Sequence, residues 1–392
     1  MDAGNQTLLK KNNQRAIVET ILKHGPISRA DLSKKLKISK PTVSANVTEL
    51  LESNLLREIG YSATDVGKKP MLLDFNREVR YVLALDFISY IVRGRVSAAV
   101  CDLSCRPVFT GFIDLPEHFG ADTVQRVVPQ RLFELLHAQG VPTDKIGKLV
   151  LTAPTVEYTN DFIKFECPNG DVMDLADLFR DAFPGKIAIM NDIDLAALGE
   201  KHFGVGKDAD TLLFAWIGLN VGGGLILNSR LYAGKNKLGG EISYCAVYSE
   251  VLREYRMMRD VTSMAGIREY IAARREQAAH SLLAGQLLDG SFTLGRMIEA
   301  ARRGDSFCRE FARYVGRTIA PVLANTSHTL GLQMIIVGGD YTNFGDVFLS
   351  EIRERVSAVP LFPAEVRLPR YPNPAMYGAF QFGARSIIKN LI

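Results

Sequence analysis

The sequence predicts an α/β protein in which an N-terminal winged helix-turn-helix precedes a larger, two-lobed body. Residues 1–80 carry three helical patterns and two short strand patterns, in the element order of a winged helix. In the rest of the chain, a cluster of strands followed by helices occurs twice, which indicates two related lobes with a cleft between them. The positive charge is concentrated in the first part.

Length and composition restrict the class of protein. At 392 residues the chain is long enough for more than one domain, and 47% hydrophobic with 23% charged residues can form substantial cores. The most apolar segment, residues 212–227, is shorter than the roughly 20 residues that cross a bilayer, and the N-terminus lacks an apolar signal segment. We expect a cytoplasmic protein without a membrane partner. Five cysteines without a C-x-x-C pair fit reduced thiols.

The net charge differs between the two ends of the chain. Residues 1–80 hold 14 Lys and Arg against nine Asp and Glu, a net charge of +5, whereas the remaining residues hold 33 against 34, a net charge of −1. A basic module joined to a near-neutral body indicates a polyanion partner for the first module alone. On charge alone, an ordinary solvated surface is an equal alternative.

Three helices are predicted in the basic module. Apolar residues at helical spacing mark residues 12–24, which end at a Gly-Pro pair. Ser28 and Asp31 fit a capping box that starts a second helix. Ser39 is a suitable N-cap for the third helix, and Pro41 falls in its first turn, where the missing N–H costs little.

The N-terminal half of the third helix carries the candidate DNA contacts. Its apolar residues at 43, 47, 50 and 51 share one face, which leaves short polar side chains on the outer surface. A recognition helix enters the major groove by this end and reads base edges with such side chains. Asn46 is the best candidate base reader. The expected contacts in this region are Arg29, Lys40, Thr42, Ser44 and Asn46.

Two predicted strands, at 55–59 and 71–75, enclose a wing at residues 60–70. Lys68 and Lys69 in this wing are candidates to neutralise phosphates or to enter a narrow minor groove. A solvated lysine pair is the alternative for these two residues, and protein binding is the alternative for the whole module. The basic charge and the helix order favour double-stranded DNA as the partner.

The body shows a repeated order of predicted elements. The first half has strands at 81–86, 96–102 and 108–115, a helix at 121–139, a strand at 148–152, a helix at 174–183 and a strand at 187–191. The second half has strands at 210–217, 223–227 and 230–233, helices within 264–330 and a strand at 334–337. This repetition predicts a duplicated α/β architecture.

The domain boundaries follow from these elements. We expect the winged helix at residues 1–78 and the body at 79–392. Within the body, the first lobe is expected at 79–185 together with a C-terminal helix at 374–392, and the second lobe at 186–373.

Two glycine clusters and one acidic residue follow predicted strands. Segment 218–224 allows the backbone to approach a ligand closely, although glycine hairpins are common. Segment 338–339 is placed to direct N–H groups toward a phosphate, or else to end a strand. Asp192 starts a helix, where its carboxylate is expected to stay ionised near the helix dipole and to accept a hydroxyl proton or a hydrogen bond. Helix capping is its alternative role.

Three segments together resemble the ROK family of bacterial sugar kinases and sugar-responsive repressors. They are Asn-Asp-Ile-Asp-Leu-Ala-Ala-Leu-Gly-Glu at 191–200, the triple-glycine segment at 222–234, and Gly-Gly-Glu-Ile-Ser at 239–243. The match extends over nearly the whole chain, and the N-terminal winged helix is similar to that of the regulator branch. The resemblance implies an actin-like sugar-kinase fold, a sugar in the interlobe cleft, and a homodimer or homotetramer.

The resemblance also implies which residues contact the sugar. The family contacts correspond to Asn169, Asn191, Asp192 and Glu241, and Asp192 matches the catalytic base of the kinases. Carboxylates and amides suit this role because each can engage adjacent hydroxyls in paired hydrogen bonds. Tyr244 is a further candidate, which either reaches the ligand or packs as an aromatic residue.

The sequence departs from the kinases of this family at both phosphate loops. Where they have Asp-x-Gly-x-Thr, residues 86–90 read Asp-Phe-Ile-Ser-Tyr. Their Gly-Thr-Gly is replaced by Gly-Leu-Asn at 218–220. Phosphoryl transfer depends on positioning and charge stabilisation, so these losses predict a protein that is not an enzyme and uses no cofactor.

The structural zinc site of the family is expected to be absent. Its histidine normally follows the glutamate by three residues, whereas Tyr244 takes that position here and Cys245 stands alone. Because the zinc loop orders the sugar-binding residues, the ligand is left open between a sugar, a sugar phosphate, another polyol and no ligand.

The leading hypothesis is a DNA-binding transcriptional regulator, most often a repressor, of carbohydrate-metabolism genes. Its body senses a sugar or sugar derivative by binding it more tightly in one of two states. The alternatives are a sugar kinase with a fused DNA-binding domain, and a regulator controlled by a partner protein with a vestigial cleft. A symmetric dimer predicts a palindromic operator.

Overall fold

The computed structural model describes residues 3–61, 69–87, 94–116, 119–153, 164–167, 169–358 and 363–391. In these ranges, a three-helix module with a small sheet is followed by two five-stranded sheets flanked by helices. The predicted α/β class and the duplicated order of elements are confirmed.

The N-terminal module is a three-helix unit with a hairpin. Its elements are α1 (Ala3–His24), β1 (Ile27–Ser28), α2 (Arg29–Leu36), α3 (Lys40–Glu52), β2 (Leu56–Tyr61) and β3 (Met71–Phe75), with β3 between β1 and β2 in the sheet. Both predicted N-caps are present, since Ser28 Oγ accepts a hydrogen bond from Asp31 N and Ser39 Oγ accepts one from Thr42 N. The order matches the predicted winged helix.

Helix α1 is longer than its apolar pattern predicts. The pattern marks residues 12–24, but the helix begins at Ala3. The additional turns bury no apolar face, since Leu8 and Leu9 are both exposed. Hydrophobic periodicity therefore identified only the half of the helix that packs on the module.

The first sheet of the body has the order β10-β7-β4-β5-β6. Its strands are β4 (Tyr81–Asp86), β5 (Arg95–Cys101), β6 (Pro107–Asp114), β7 (Ile146–Ala153) and β10 (Ile187–Asn191). Strands β4, β5 and β6 form an antiparallel meander, while β7 and β10 continue the sheet in parallel with β4. Helix α4 (Ala121–Ala138) buries one apolar stripe in the core that includes Leu83 and Leu149.

The second sheet repeats this topology. Its order is β13-β12-β11-β16-β17, formed by β11 (Leu212–Ile217), β12 (Val221–Leu227), β13 (Arg230–Leu231), β16 (Met334–Gly338) and β17 (Glu365–Arg367). Again a three-stranded antiparallel meander is extended from its first strand by two parallel strands. This is the duplication that the repeated sequence pattern predicts.

The remaining elements complete the two halves. Two small hairpins pair β8 (Lys164–Glu166) with β9 (Val172–Asp174), and β14 (Ala246–Ser249) with β15 (Glu254–Met257). The remaining helices are α5 (Asp192–His202), α6 (Met258–Thr262), α7 (Met264–Ala273), α8 (Arg275–Ala278), α9 (Ala284–Asp289), α10 (Leu294–Arg302), α11 (Ser306–Leu330), α12 (Asp346–Ser357) and α13 (Pro374–Leu391).

The predicted helix at 174–183 is wrong. The segment consists of turns after β9, with Asp177 N bonded to Asp174 O and Phe179 N bonded to Ala176 O. The Asp174 side chain accepts from Ala176 N, which offers the backbone an alternative to a helix. Phe179 and Phe183 are buried, so their four-residue spacing resembles a helical stripe without being one.

Helices α5 and α13 connect the two halves of the body. Helix α5 packs on β11 and β12 of the second sheet, whereas α13 packs on β4 and β7 of the first. The two helices also pack on each other at Gly199 and Gly378, where a Cβ atom would overlap backbone of the opposite helix. We use the term cleft for the region between Asp86 at the end of β4 and Asp192 at the start of α5. Across the described part of the chain, no helix combines the length and apolarity needed to cross a membrane.

Candidate functional site

The N-terminal end of α3 presents part of the predicted DNA-contacting set. Lys40 is exposed, and Thr42 and Ser44 are partly exposed. The Arg29 guanidinium reaches the same surface, because it donates to Ser44 Oγ at 3.2 Å and pairs with Glu58 at 3.4 Å. These four candidates therefore form one polar surface at the start of the helix.

The placement of Asn46 on the outer surface of α3 is wrong. Its side chain is only 5% exposed, and Asn46 Nδ2 donates to Thr42 O at 2.8 Å within the helix. One helical turn separates Asn46 from Val43 and Leu50, so the buried stripe is wider than the apolar residues alone indicate. A base edge cannot reach a side chain buried in this way without rearrangement of the helix.

The predicted wing is described only at its edges. Lys69 is exposed two residues before the start of β3. Lys68 lies outside the described residues. Of the two wing lysines predicted to contact DNA, Lys69 is thus the one that the structure describes.

In the cleft, Asn191 and Asp192 lie at the carboxyl end of β10. Asn191 Oδ1 accepts hydrogen bonds from Ile193 N at 2.8 Å and Asp194 N at 3.2 Å, so Asn191 caps α5. Asp192 is the first residue of the helix. The capping role considered for Asp192 therefore belongs to its neighbour, and the Asp192 side chain is left for another partner.

The expectation that Asp192 stays ionised is wrong. The residue as a whole is partly buried, but its Oδ1 atom is fully buried and has no hydrogen-bond partner among the described residues. Burial, reinforced by the negative charge of Asp86, raises the pKa of Asp192 to about 8. At neutral pH the carboxyl group is mostly protonated and can donate a hydrogen bond to a ligand oxygen.

Asp86 lies at the end of β4, in the first lobe, close enough for its charge to act on Asp192. It is 2% exposed. Its Oδ1 accepts from Thr152 Oγ1 at 2.9 Å, and its Oδ2 accepts from Asn373 Nδ2 at 2.7 Å. These bonds hold the carboxyl group of Asp86 in place opposite Asp192.

Glu241 and Asp194 form a second acidic pair in the cleft. Glu241 is exposed at the start of the 3-10 turn Ile242–Tyr244, and Asp194 is 6% exposed in the first turn of α5. Burial and the charge of Glu241 raise the pKa of Asp194 to about 7. Close backbone contact between Gly240 and Gly223 brings the Glu241 turn against β12, next to α5.

Asn169 lies in the turn between β8 and β9, next to the start of α4. Its Nδ2 donates to Asp171 Oδ2 at 2.8 Å, and the same carboxylate accepts from Ala121 N at 3.0 Å. The hydrogen bond from Asn169 lowers the pKa of Asp171. Asn169 is exposed, and in the described residues its bonds go to this loop rather than to the acidic pairs.

Tyr244 is exposed, with 57% of its surface accessible. The Arg259 guanidinium lies 4.5 Å from the centre of its ring, a cation–π geometry. Cys245 is partly buried, which raises the pKa of its thiol. Within the described ranges, no three His, Cys, Asp or Glu side chains are grouped to hold a metal ion.

The glycine loop that corresponds to the second phosphate loop is a tight turn. Gly218 N donates to Asn220 O at 3.0 Å. The carboxyl group of Asp340 points at this turn, since Oδ2 lies 3.0 Å from where a Gly218 Cβ would be, and Trp216 Nε1 lies 3.1 Å from the same point. Burial raises the pKa of Asp340. Whenever it is ionised, this group repels a phosphate. Residues 88–90 of the first loop lie outside the described residues.

Two family models match the chain. The model of the ROK family covers residues 121–369, and a model described as winged helix-turn-helix DNA-binding covers residues 11–57. The protein belongs to the ROK family. The resemblance predicted from the sequence is confirmed, including the N-terminal winged helix.

Curated relatives include proteins named as a repressor and as a transcriptional regulator. The xylose repressor of Bacillus spizizenii is 29% identical over 254 residues, which is 63% of this chain and 63% of the relative, so this alignment spans less than two thirds of either protein. The DNA-binding transcriptional dual regulator NagC of Escherichia coli is 24% identical over 404 residues, covering 99% of this chain and 96% of NagC.

Solved structures show the same fold. A ROK family transcriptional regulator, described as a homologue of the E. coli MLC protein, superposes with a TM-score of 0.78 at 21% identity over 98% of each chain. The ROK hexokinase of Thermus thermophilus superposes with a TM-score of 0.61 at 15% identity, covering 79% of this chain and 99% of the hexokinase. The predicted winged helix and two-lobed, sugar-kinase-like body are confirmed.

Sequence reasoning missed three polar residues of the cleft as site residues: Asp86, Asp194 and Asn373. Asp194 had a local signal, because it lies within the first turn of a helix that starts at a predicted site residue. Asn373 had none, since its partner Asp86 is 287 positions away in the chain.

Proposed function

We propose that the protein is a sugar-responsive transcriptional repressor whose winged helix binds operator DNA. The observation that carries this proposal is the joining of a winged helix with an accessible α3 N-terminus to a ROK body. Its relatives named xylose repressor and NagC share both the family and this function class. The net charge of +5 in residues 1–80 supports a polyanionic partner for the same end.

The proposed DNA contacts are Arg29, Lys40, Thr42, Ser44, Lys68 and Lys69. The lysines suit phosphates, which position a protein on the duplex. Arg29 and Ser44 form the part of the surface where fixed hydrogen-bonding groups could read base edges. Asn46 is retained only as a support of α3.

The proposed effector is a sugar or sugar derivative held between the two acidic pairs. Asn191, Asp192 and Glu241 are the proposed contacts, with Asn169 and Tyr244 at the periphery. A protonated Asp192 donates a hydrogen bond to one sugar hydroxyl, whereas Glu241 accepts a hydrogen bond from another. Asp194, whose pKa is raised to about 7 by burial and by the charge of Glu241, adds a further acidic group beside Glu241.

We infer that this cleft senses its ligand without phosphorylating it. The supporting residues are Leu219 and Asn220 in place of Thr and Gly of the kinases, and Asp340 beside the same turn. A carboxyl group at this position disfavours nucleotide phosphates by charge. A base that is mostly protonated at neutral pH is also poorly suited to accept a proton from a sugar hydroxyl.

The alternative function, a sugar kinase fused to a DNA-binding domain, rests on the retention of Asp192 opposite Asp86. A coupled assay for ATP consumption with a panel of hexoses and amino sugars tests it. Turnover that Asp192→Asn abolishes would establish this alternative.

A third possibility is a regulator that is controlled by a partner protein and has a vestigial cleft. Thermal-shift screening distinguishes it, because a vestigial cleft binds no sugar and gives no shift.

The domain limits, the assembly and the location stay predictions within this proposal. We expect an independent winged helix at 1–78, a body at 79–392 and a cytoplasmic homodimer or homotetramer. A symmetric dimer places two winged helices on one duplex.

The proposal is tested by selecting duplexes from a random library with the purified full-length chain. Enrichment of one sequence, followed by nuclease protection of that sequence, supports a specific operator. A library that stays random after repeated rounds contradicts the proposal, since unspecific charge alone yields retention without enrichment.

A further inference from the structure

The N-terminus of α13 is bonded directly to the cleft. Asn373 immediately precedes Pro374, the first residue of the helix. Its Nδ2 donates to Asp86 Oδ2 at 2.7 Å, and its Oδ1 accepts from Met376 N at 3.2 Å. One side chain therefore joins the acidic group that faces Asp192 to the first turn of α13.

Helix α13 is held tightly against the body along its length. A Cβ at Gly378 would overlap Leu195 O of α5, and a Cβ at Gly383 would overlap the side chain of Val82 on β4. Contacts made by backbone rather than by flexible side chains leave little room for local adjustment. An 18-residue helix is about 27 Å long. A displacement at one end is therefore expected to move the helix as a unit.

The other end of α13 lies at the junction with the winged helix. Leu391 lines a cavity of about 380 Å³ together with Ser53, Asn54 and Leu55, which follow α3, and with Arg80 and Lys145 of the body. The cavity lies at the C-terminal end of α3. The recognition end of the helix is its N-terminus, so the cavity lies away from the proposed DNA surface.

The turn between β5 and β6 reinforces this junction. Leu103 N donates to Arg77 O at 2.9 Å in the linker that follows β3. Cys105 Sγ in the same turn lies 3.7 Å from Gln381 Oε1 of α13. The linker and the helix are thus connected to the same turn.

We propose that Asn373 is a positioning residue that couples the cleft to the winged helix through α13. When a ligand changes the position or the charge of the acidic pair Asp86 and Asp192, the hydrogen bond of Asn373 to Asp86 displaces the N-terminus of α13. The displaced helix moves Leu391 and thereby the end of α3. The inference rests on the proposed function, because it supplies the connection between effector and operator. By thermodynamic linkage, DNA binding must then alter the cleft as well.

Trp216 is the probe for this reverse effect. It is the one tryptophan of the chain, and it precedes the last residue of β11, beside the Gly218 turn. The experiment adds saturating selected duplex to the full-length protein without any sugar. It records the emission maximum and acrylamide quenching of Trp216, while anisotropy of the labelled duplex reports DNA binding.

The variant Asn373→Ser separates coupling from folding. Serine still accepts from Met376 N as a helix cap, but its shorter side chain carries no amide group and ends before Asp86. Asn325→Ser, at an exposed asparagine of α11, is the matched control. We expect DNA to shift Trp216 emission in the wild type and the control, and to produce no shift in Asn373→Ser, with DNA affinity retained.

At the other end of α13, Leu391→Ala is expected to remove the same shift, whereas Leu330→Ala, at a partly exposed leucine that ends α11, preserves it. The inference is overturned if the wild type binds DNA with no change at Trp216, or if Asn373→Ser responds like the wild type. Failure of the proposed function gives a different result, because anisotropy then shows no duplex binding at all.

Discussion

At the residue scale, Asp192 is the proposed sugar contact whose charge state differs from the expectation drawn from the sequence. Its place at the start of α5 suggested an ionised group, because a helix N-terminus favours negative charge by typically 0.3–1 kcal/mol. Burial and the neighbouring Asp86 act in the opposite direction and are larger, so the pKa of Asp192 rises to about 8. The local sequence shows the helix start, but it does not show the opposing carboxyl group from another strand.

This shift makes the stability of the protein depend on pH. The pKa of Asp192 is about 8 in the folded state and near its ordinary value of 3.8 after unfolding, so the folded state retains a proton that the unfolded state loses between these values. The free energy of unfolding therefore falls as pH rises from about 4 to 8, by at most about 1.4 kcal/mol per pH unit from this group. Asp192→Asn removes this contribution.

We expect Asp192→Asn to gain stability over the wild type between pH 5 and pH 8, as measured by thermal unfolding. Asp208→Asn, at an exposed aspartate of the body, is the control and should follow the wild type at both pH values. Parallel pH profiles for wild type and Asp192→Asn would show that this carboxyl group ionises normally.

The DNA surface gives a second prediction at this scale. Lys69→Gln should weaken binding to selected and random duplexes alike and reduce the salt slope of log K by about one, because one phosphate contact is lost. Asn46→Ala should leave sequence discrimination unchanged, since Asn46 is buried. Gel-shift titrations at several salt concentrations measure both, with Lys207→Gln in the body as the control. Discrimination lost in Asn46→Ala would contradict the assignment of this residue to the core.

At the scale of elements, the contact between α5 and α13 is the most constrained. Gly378→Ala places a methyl group on Leu195 O, which we expect to cost about 1–3 kcal/mol or more through overpacking. Gly285→Ala in α9 is the matched control, because a Cβ there meets nothing within 4 Å and alanine is the better helix former. Calorimetry should show a lower melting temperature for the first variant only. Equal melting temperatures would indicate that the two helices are free to separate.

Elements with local signals were predicted well from the sequence. Strand β10 was expected at 187–191 and is observed there, and the caps at Ser28 and Ser39 determine the starts of α2 and α3. The segment 174–183 was missed because buried aromatic residues four apart satisfy a helical pattern even when turns place them in the core. The bond between Asn373 and Asp86 joins residues from opposite ends of the body, and no local pattern encodes such a pairing.

At the scale of the whole molecule, the helix pair α5 and α13 joins the two sheets of the body. A symmetric dimer of such chains should protect two half-sites whose centres are one or more helical turns apart. Footprinting of the selected duplex, combined with light scattering of the complex, measures both spacing and stoichiometry. A single protected half-site with one chain bound would contradict the proposed homo-oligomer.

The most direct test of the account titrates the selected duplex and full-length protein with sugars, including D-xylose and N-acetylglucosamine, in the absence of ATP. We expect at least one sugar or sugar derivative to lower DNA affinity by about 5–150-fold, the usual range of allosteric coupling, without any nucleotide. Absence of duplex binding, accompanied by steady sugar-dependent consumption of ATP, would contradict it.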